Sequence, residues 1–509
     1  MHNKDTSLSM GKFPPWLAVL AALTALGALA IDMYLPSFTA IAKELGVGTN
    51  LVQLTLASFL AGLAVGQMFY GPLSDRFGRK PPLFFGIALY FVCSLLCIFV
   101  QSIETLIVLR LFQGLGGSAG MVIPRAMVRD RMGAEGSAKA FSMLMLVFGL
   151  APILAPFIGG LMLVFASWRG IFVVLTIFGL LCMLGTRKYL TETVDVSRAE
   201  PLHLGRTLRQ YWGLLRHRQF MSFVLCGGLV QAGMFAYIAG GPFVVIELHG
   251  IKPQYFGFVF ASNAIGLIAA SQVNARLVVK RSAERVLGKV LWVPAGLSLA
   301  VVLAVLAGLE SLPLLLFGFF GFLTAYGFTG PNATAIALKH QGRQAGTAAA
   351  LMGTLQFGMG VLSGVVMSLW HDGTALPLVS VMAICGVSAF LLYHFVAKHE
   401  PVTPAVHSTH RLIALRDMGG ALVALYLQGA LKEGHHFLIE CPMEGRTVKS
   451  SCTAADVRQA LRHDRGAGGQ EIEMPGMGYE MVLRCLRQRA PHFFRVPGMG
   501  QDPVVFGAP

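Results

Sequence analysis

Twelve long runs of apolar residues constrain this sequence more than any other feature. Each run is long enough to cross a bilayer as a helix, which takes about 20 residues. In the bilayer core every backbone polar group must find a partner inside the protein, so runs of this kind fold as helices. The runs lie at about residues 14–38, 51–71, 82–101, 103–125, 139–161, 167–186, 219–243, 254–277, 286–309, 312–336, 345–370 and 375–397. The sequence therefore predicts an all-α polytopic membrane protein with twelve transmembrane helices.

The composition and the placement of charge agree with this prediction. Of the 509 residues, 55% are apolar and 13% are charged, whereas a soluble protein of this size needs far more surface charge. Lys and Arg cluster in alternate loops, and the loops of the opposite side carry only Lys43, Arg169 and Lys252. By the positive-inside rule both termini are cytoplasmic. This distribution explains the net charge of +15 without a nucleic-acid partner.

The longest break between apolar runs, residues 187–218, divides the chain into two halves. It is basic, and Leu204, Leu208, Trp212 and Leu215 recur there at helical spacing, which is typical of an amphipathic helix on a membrane surface. We therefore predict a cytoplasmic linker that joins two six-helix halves, and the halves cover 1–186 and 219–398. Two such halves around a central cavity are the layout of many secondary transporters.

Residues 399–509 have no run long enough to span a membrane. Residues 457–461 and 479–486 have a helical pattern, and 437–440 and 492–496 have the pattern of strands. We expect a small cytoplasmic α+β module whose role the sequence does not give.

Asp32 is the only charged residue of the first apolar run. A carboxylate at membrane depth costs about 2.5–3.5 kcal/mol on insertion scales. The cost falls if the group is protonated, paired or facing a wet cavity, and a group with these options can carry a proton. The alternative is an Asp near the helix end that reaches the outer headgroups.

The loop between the second and third runs reads G-P-L-S-D-R-F-G-R-K from Gly71. Gly71 and Gly78 permit a tight turn and close backbone approach. Asp75 can pair with Arg79 or cap a helix N-terminus, and Arg76 adds to the charge that holds the loop inside. This loop resembles the signature loop of the major facilitator superfamily.

Further motifs narrow the resemblance. The segment R-L-F-Q-G-L-G-G from Arg110 is similar to the fourth-helix motif of proton-coupled members. The fifth helix carries a pattern similar to the antiporter motif, with Ala155 where the wider pattern has Gly. Its small and kinking residues are Gly149, Pro152, Pro156, Gly159 and Gly160. Together with I-D-M-Y-L-P at 31–36 and S-W-R at 167–169, the chain resembles the Bcr/CflA-type drug/proton antiporters over residues 14–397, but not in the tail.

The depth of these residues along their helices predicts a proton-coupling pair and a cytoplasmic latch. Asp32 and Arg110 each lie about six residues from the outer end of their helices, so we expect them at similar depth, interacting directly or through water. The alternative is a static neutralising pair. Asp130 follows the predicted inner end of the fourth helix, and we expect it to form an ionic latch with Asp75 and Arg79.

Intramembrane polar and soft apolar side chains are the candidates for the cavity wall. The alternative for each is core packing or a hydrogen bond between helices. The candidates are Met33, Tyr34, Gln113, Tyr237, Asn263, Asn332 and Gln356.

The function that these features predict is proton-driven export of small amphipathic compounds across a bacterial inner membrane by a monomeric protein. The resemblance implies chloramphenicol-type or bicyclomycin-type antibiotics or sulfonamides as cargo. The sequence has no G-x-x-x-x-G-K-[ST] motif for ATP, and we expect no cofactor, metal or enzymatic site. The first alternative is a proton-coupled importer of a nutrient or metabolite on the same fold. The second is a membrane sensor that signals through the tail.

Overall fold

The computed structural model describes residues 14–194, 204–339, 341 and 344–397, and four strands between 413 and 453. Twelve helices in the described part are long and apolar enough to cross a membrane, which confirms the predicted fold class. Numbered in chain order as helix 1 to helix 12, they are Pro15–Leu45, Thr49–Phe77, Lys80–Cys97, Ile103–Met132, Met143–Phe165, Arg169–Tyr189, Arg218–Leu248, Pro253–Lys280, Ala283–Leu306, Leu312–Leu338, Ala345–Leu369 and Leu376–Ala397.

Helix 1 is longer than its apolar run because it resumes after an interruption. Its regular part ends at Asp32, a 3₁₀ turn covers Leu35–Ser37, and a second helical part runs over Phe38–Leu45. Pro36 has no N–H, so it cannot donate the helical hydrogen bond to the carbonyl four residues earlier, which is that of Asp32. The only acid of the run therefore lies at a break in its helix.

Helices 4 and 5 form one helical element, Ile103–Phe165, that passes through the bundle twice. Arg110 in helix 4 bonds to the Ala30 carbonyl, and Gly159 in helix 5 lies against the Met33 carbonyl. Because both contacts are at the same end of helix 1, the chain must reverse between the two spans. Helix 4 extends to Met132. Asp130 therefore lies inside the last turn of this helix, whereas we expected it after the end of the helix.

The two halves meet along two pairs of helices, 2 with 11 and 5 with 8. Between helices 2 and 11, the Thr354 hydroxyl donates to the Ala64 carbonyl at 3.0 Å. Between helices 5 and 8, a Cβ atom on Gly257 would lie 2.9 Å from the Phe157 Cα atom. Contacts this close leave no room for larger side chains at the seam. Between the halves, a separate linker helix covers Leu204–Arg216.

The tail belongs to a second compact unit, Val402–Pro509. Its described strands are β1 Ile413–Arg416, β2 Leu422–Leu425, β3 His436–Met443 and β4 Arg446–Thr453. They form an antiparallel sheet in the order β1-β2-β3-β4. The strand expected at 437–440 lies within β3, and the other tail elements that we predicted lie outside the described residues.

Candidate functional site

A cavity of about 270 Å³ lies between the two halves. Helices 1, 2, 4 and 5 of the first half and 7, 8, 10 and 11 of the second contribute to its wall. The lining residues are Gly27, Ala28, Ile31, Asp32, Leu63, Met121, Gly149, Pro152, Gln231, Met234, Phe235, Ile238, Phe260, Ala264, Leu267, Ile268, Leu323, Tyr326 and Phe357. Among the described residues, Asp32, Gln231 and Tyr326 supply the only side-chain oxygen and nitrogen atoms of the wall, and the rest of its described side chains are apolar.

Asp32 is the only charged residue among those that the structure describes in this wall. It is 5% exposed, and within the described part of the chain its carboxylate has no hydrogen-bond or ion-pair partner. The helix break at Pro36 fixes its position at one end of the cavity. A lone carboxylate with these surroundings has two ways to lower its free energy, which are to take up a proton or to meet a polar ligand.

Arg110 lies against the end of helix 1 that carries Asp32, but no hydrogen bond or ion pair joins the two side chains in the described residues. The guanidinium donates to the Ala30 carbonyl at 3.0 Å and to Gln113 Oε1 at 2.8 Å, and it stacks 4.6 Å from the ring centre of Tyr34. The Ala30 carbonyl is available because the backbone N–H of Tyr34 bonds to Ile31 instead. In the part of the chain that the structure describes, the helix break gives Arg110 a backbone acceptor in place of the carboxylate. An interaction of Arg110 with Asp32, directly or through water, stays a prediction.

The seven side chains that we predicted for the cavity wall do not line it. Six are buried in contacts between helices and Gln356 is half-buried. Three of the hydrogen bonds are Tyr34 with Thr55 at 2.7 Å, Asn263 with Tyr237 at 2.7 Å and Asn332 with Asn274 at 2.8 Å. Gln113 donates to Ser94 at 2.7 Å, and Met33 is 1% exposed. Their role in binding a substrate stays a prediction, because the sequence gives the position of a residue along a helix but not the direction in which that face of the helix points.

The fifth-helix motif contributes to both the cavity and the packing around it. Gly149 and Pro152 line the cavity, and Pro156 is buried. A Cβ atom on Gly159 would lie 2.1 Å from a backbone oxygen of helix 1, and on Gly160 it would lie 2.8 Å from one of helix 8. The small residues therefore hold helix 5 against both neighbours at the cavity's edge.

The predicted latch residues are brought together by Arg79. Its Nε donates to Asp130 Oδ2 at 2.8 Å, and its Nη1 bonds to Asp75 and to Ser74. Burial lowers the pKa of Arg79, but the two carboxylates outweigh burial and raise it above its usual value. The Arg79 guanidinium therefore stays charged at any physiological pH.

The two glycines of the loop differ in their roles. Gly78 has a φ of +86°, which favours glycine, whereas Gly71 lies inside helix 2 with no other atom within 4 Å of a Cβ atom built there. The close approach that we expected at Gly71 is absent. Arg76 is half-buried and makes no ion pair in the described part.

Glu192, at the end of helix 6, is a partner of this loop that we did not predict. Its carboxylate accepts hydrogen bonds from the backbone N–H groups of Arg79 at 2.7 Å and Lys80 at 2.9 Å. A Cβ atom on Gly78 would lie 2.6 Å from it. Burial raises the pKa of Glu192, but the backbone donors outweigh burial and lower it below 4.5. Its stabilising contribution is therefore present above that value and is lost as the pH falls through the lowered pKa.

A twelve-helix bundle whose two halves enclose a cavity with a single carboxylate defines a secondary transporter. The comparison with known families agrees, because the model of the Major Facilitator Superfamily matches residues 20–364. The chain belongs to this superfamily, whose members are transporters and not enzymes.

Known relatives and structures resemble the helical part. An uncharacterized MFS-type transporter of Bacillus subtilis, YdgK, is 35% identical over 75% of this chain and 95% of its own. A bicyclomycin resistance protein homolog of Haemophilus influenzae is 33% identical over 76% and 96%. The crystal structure of a D-xylose-proton symporter superposes with a TM-score of 0.61 at 13% identity, over 75% of this chain and 97% of its own, which supports the fold alone.

Proposed function

We propose that this protein is a proton-driven antiporter that exports small amphipathic compounds across the bacterial inner membrane, with both termini in the cytoplasm. The observation that carries the proposal is that, in the described part of the chain, Asp32 is the only carboxylate in the wall of a largely apolar cavity. The bicyclomycin resistance homolog adds an antibiotic as the kind of cargo.

The coupling follows from the two states of one carboxyl group. With the cavity open to the outside, a proton neutralises Asp32, and this removes the cost of a charge beside apolar walls. With the cavity open to the cytoplasm, a compound that makes a polar contact to the carboxylate favours the ionised form and releases the proton. The compound then leaves in exchange for the next proton. The proton gradient drives this cycle, and binding of the compound is coupled to it only if the compound binds the neutral and the ionised form of Asp32 with different affinities.

Arg110 acts in this scheme as a positioning residue. It holds the Ala30 carbonyl two residues before Asp32, so it fixes the broken end of the helix while leaving the carboxylate open to the cavity.

The apolar wall favours export of amphipathic compounds over import of a polar nutrient. A sugar needs many hydrogen-bonding side chains, and this wall has three polar residues. The fold does not separate the two functions, because a D-xylose-proton symporter shares it.

The test is a resistance panel in a host without its own efflux pumps, followed by accumulation of a labelled compound with and without an uncoupler. Asp32→Asn should abolish the uncoupler-sensitive export while the protein stays in the membrane. Glu310→Gln, which removes an exposed acid between helices 9 and 10, should leave export intact. Undiminished export by Asp32→Asn, or accumulation that rises with the gradient, would contradict the proposal.

A further inference from the structure

The cavity wall of the second half carries one polar pair, Gln231 on helix 7 and Tyr326 on helix 10. The Tyr326 hydroxyl donates to Gln231 Oε1 at 2.8 Å. This bond uses the only hydrogen of the phenol and one acceptor of the amide. It therefore fixes which groups of the pair stay available to a ligand.

Apart from this bond, the pair still offers a ligand one hydrogen-bond donor beside one acceptor. The Gln231 side-chain nitrogen has two N–H groups and no acceptor in the part of the chain that the structure describes, and it is not among the polar atoms sealed from solvent. The Tyr326 oxygen keeps its lone pairs. A hydrogen-bond donor next to an acceptor is the complement of a secondary amide, whose C=O accepts and whose N–H donates.

A second pair of an amide and a phenol also links helix 7 to a neighbouring helix, but there the amide N–H donates to the phenol oxygen. Asn263 of helix 8 bonds to the Tyr237 hydroxyl at 2.7 Å. Tyr237 is 0% exposed and Asn263 2% exposed, and neither lines the cavity. Both pairs join two helices, but only the Gln231–Tyr326 pair also lines the cavity.

We propose that Gln231 and Tyr326 form a recognition site for a secondary amide group on the exported compound. The inference rests on the proposed function and names the chemical class of its cargo. The apolar walls, with Phe235, Phe260 and Phe357, hold aromatic or aliphatic groups on either side of the amide. A site of this kind discriminates against a compound of the same shape without the amide, because the buried donor is then left without a partner.

The experiment uses two probes of matched shape, benzanilide with a secondary amide and trans-stilbene without one. Binding to the purified full-length protein in nanodiscs is measured by equilibrium dialysis, and binding to empty nanodiscs is subtracted. The wild type should prefer benzanilide. Gln231→Met, which keeps the length of the side chain, and Tyr326→Phe should each weaken benzanilide binding about tenfold and leave trans-stilbene binding within about twofold.

Tyr393→Phe is the matched control, because it removes a hydrogen bond that a buried phenol donates, here to the Glu284 carbonyl at 2.6 Å, at a residue that does not line the cavity, and it should change the binding of neither probe. If Gln231→Met weakened the binding of both probes equally, its role would be structural and the inference would be overturned. A wild type that binds the two probes equally would also overturn it. The outcome is separate from proton coupling, since Asp32→Asn should lose transport but keep the preference for benzanilide.

Discussion

Two buried arginines show what residue-level patterns can and cannot predict. Arg79 contacts both acids that we expected. Asp75 lies four residues before it on the chain, and Asp130 lies in the last turn of helix 4. Arg110 does not contact Asp32, because that contact depends on the rotation of two helices and on a helix break that exposes a backbone carbonyl. Glu192 was missed because nothing in its local sequence marks it as a partner of a loop about 110 residues earlier.

The first prediction compares Arg79→Ala with Lys339→Ala. Arg79 is 11% exposed and bridges two acids, so its loss should lower the free energy of unfolding by about 2 kcal/mol. Lys339 and Glu284 are 59% and 39% exposed, and their atoms are 3.5 Å apart, so loss of this pair should cost roughly 0–1 kcal/mol. Thermal unfolding of the purified proteins measures both. Equal destabilisation by the two substitutions would contradict our account of the latch.

At the level of elements, the sequence predicted the number and order of the spanning helices but not their ends or interruptions. The length of an apolar run is enough to predict a membrane-spanning helix, and the described part of the chain has a helix at each of the twelve runs. The extension of helix 1 to Leu45 is not an apolar feature, because that part is amphipathic and packs on helix 2. The break at Pro36 could be foreseen from the missing N–H, whereas its consequence for the Ala30 carbonyl could not.

The second prediction concerns the contact of helix 5 with this break. Gly159→Ala would place a Cβ atom 2.1 Å from the Met33 carbonyl, so helix 5 must move away from the end of the cavity where Asp32 lies. Overpacking of this kind costs about 1–3 kcal/mol, and we expect a lower melting temperature together with weaker export. Gly296→Ala in helix 9 is the control, since no atom lies within 4 Å of its added Cβ. A variant at Gly159 with wild-type stability and export would show that the close contact does not position Asp32.

At the scale of the whole molecule, the two halves share an ionic contact in which the charges are reversed. In the first half Arg79, at the start of helix 3, pairs with Asp130 near the end of helix 4. In the second half Glu284, at the start of helix 9, pairs with Lys339 at the end of helix 10. Only the position of the pair is repeated in the second half, and not its residues. Repeated halves are a general feature of such transporters.

The cavity is also a property of the whole molecule, because eight helices from both halves build it. Asp32 could be singled out from the sequence as a candidate, since an acid at membrane depth is rare. Gln231 and Tyr326 could not be separated from other polar residues at the same depth, since that requires the rotation of helices 7 and 10.

The most direct test of the account is proton release on binding. The purified protein, in weakly buffered solution, is mixed with the compound to which it gives the strongest resistance, and the pH change and the amount bound are recorded together. The wild type should release roughly one proton per bound molecule, because one ionisable carboxylate lines the cavity, and Asp32→Asn should bind the compound without releasing a proton. Equal proton release by the wild type and Asp32→Asn would contradict the claim that this carboxylate carries the proton.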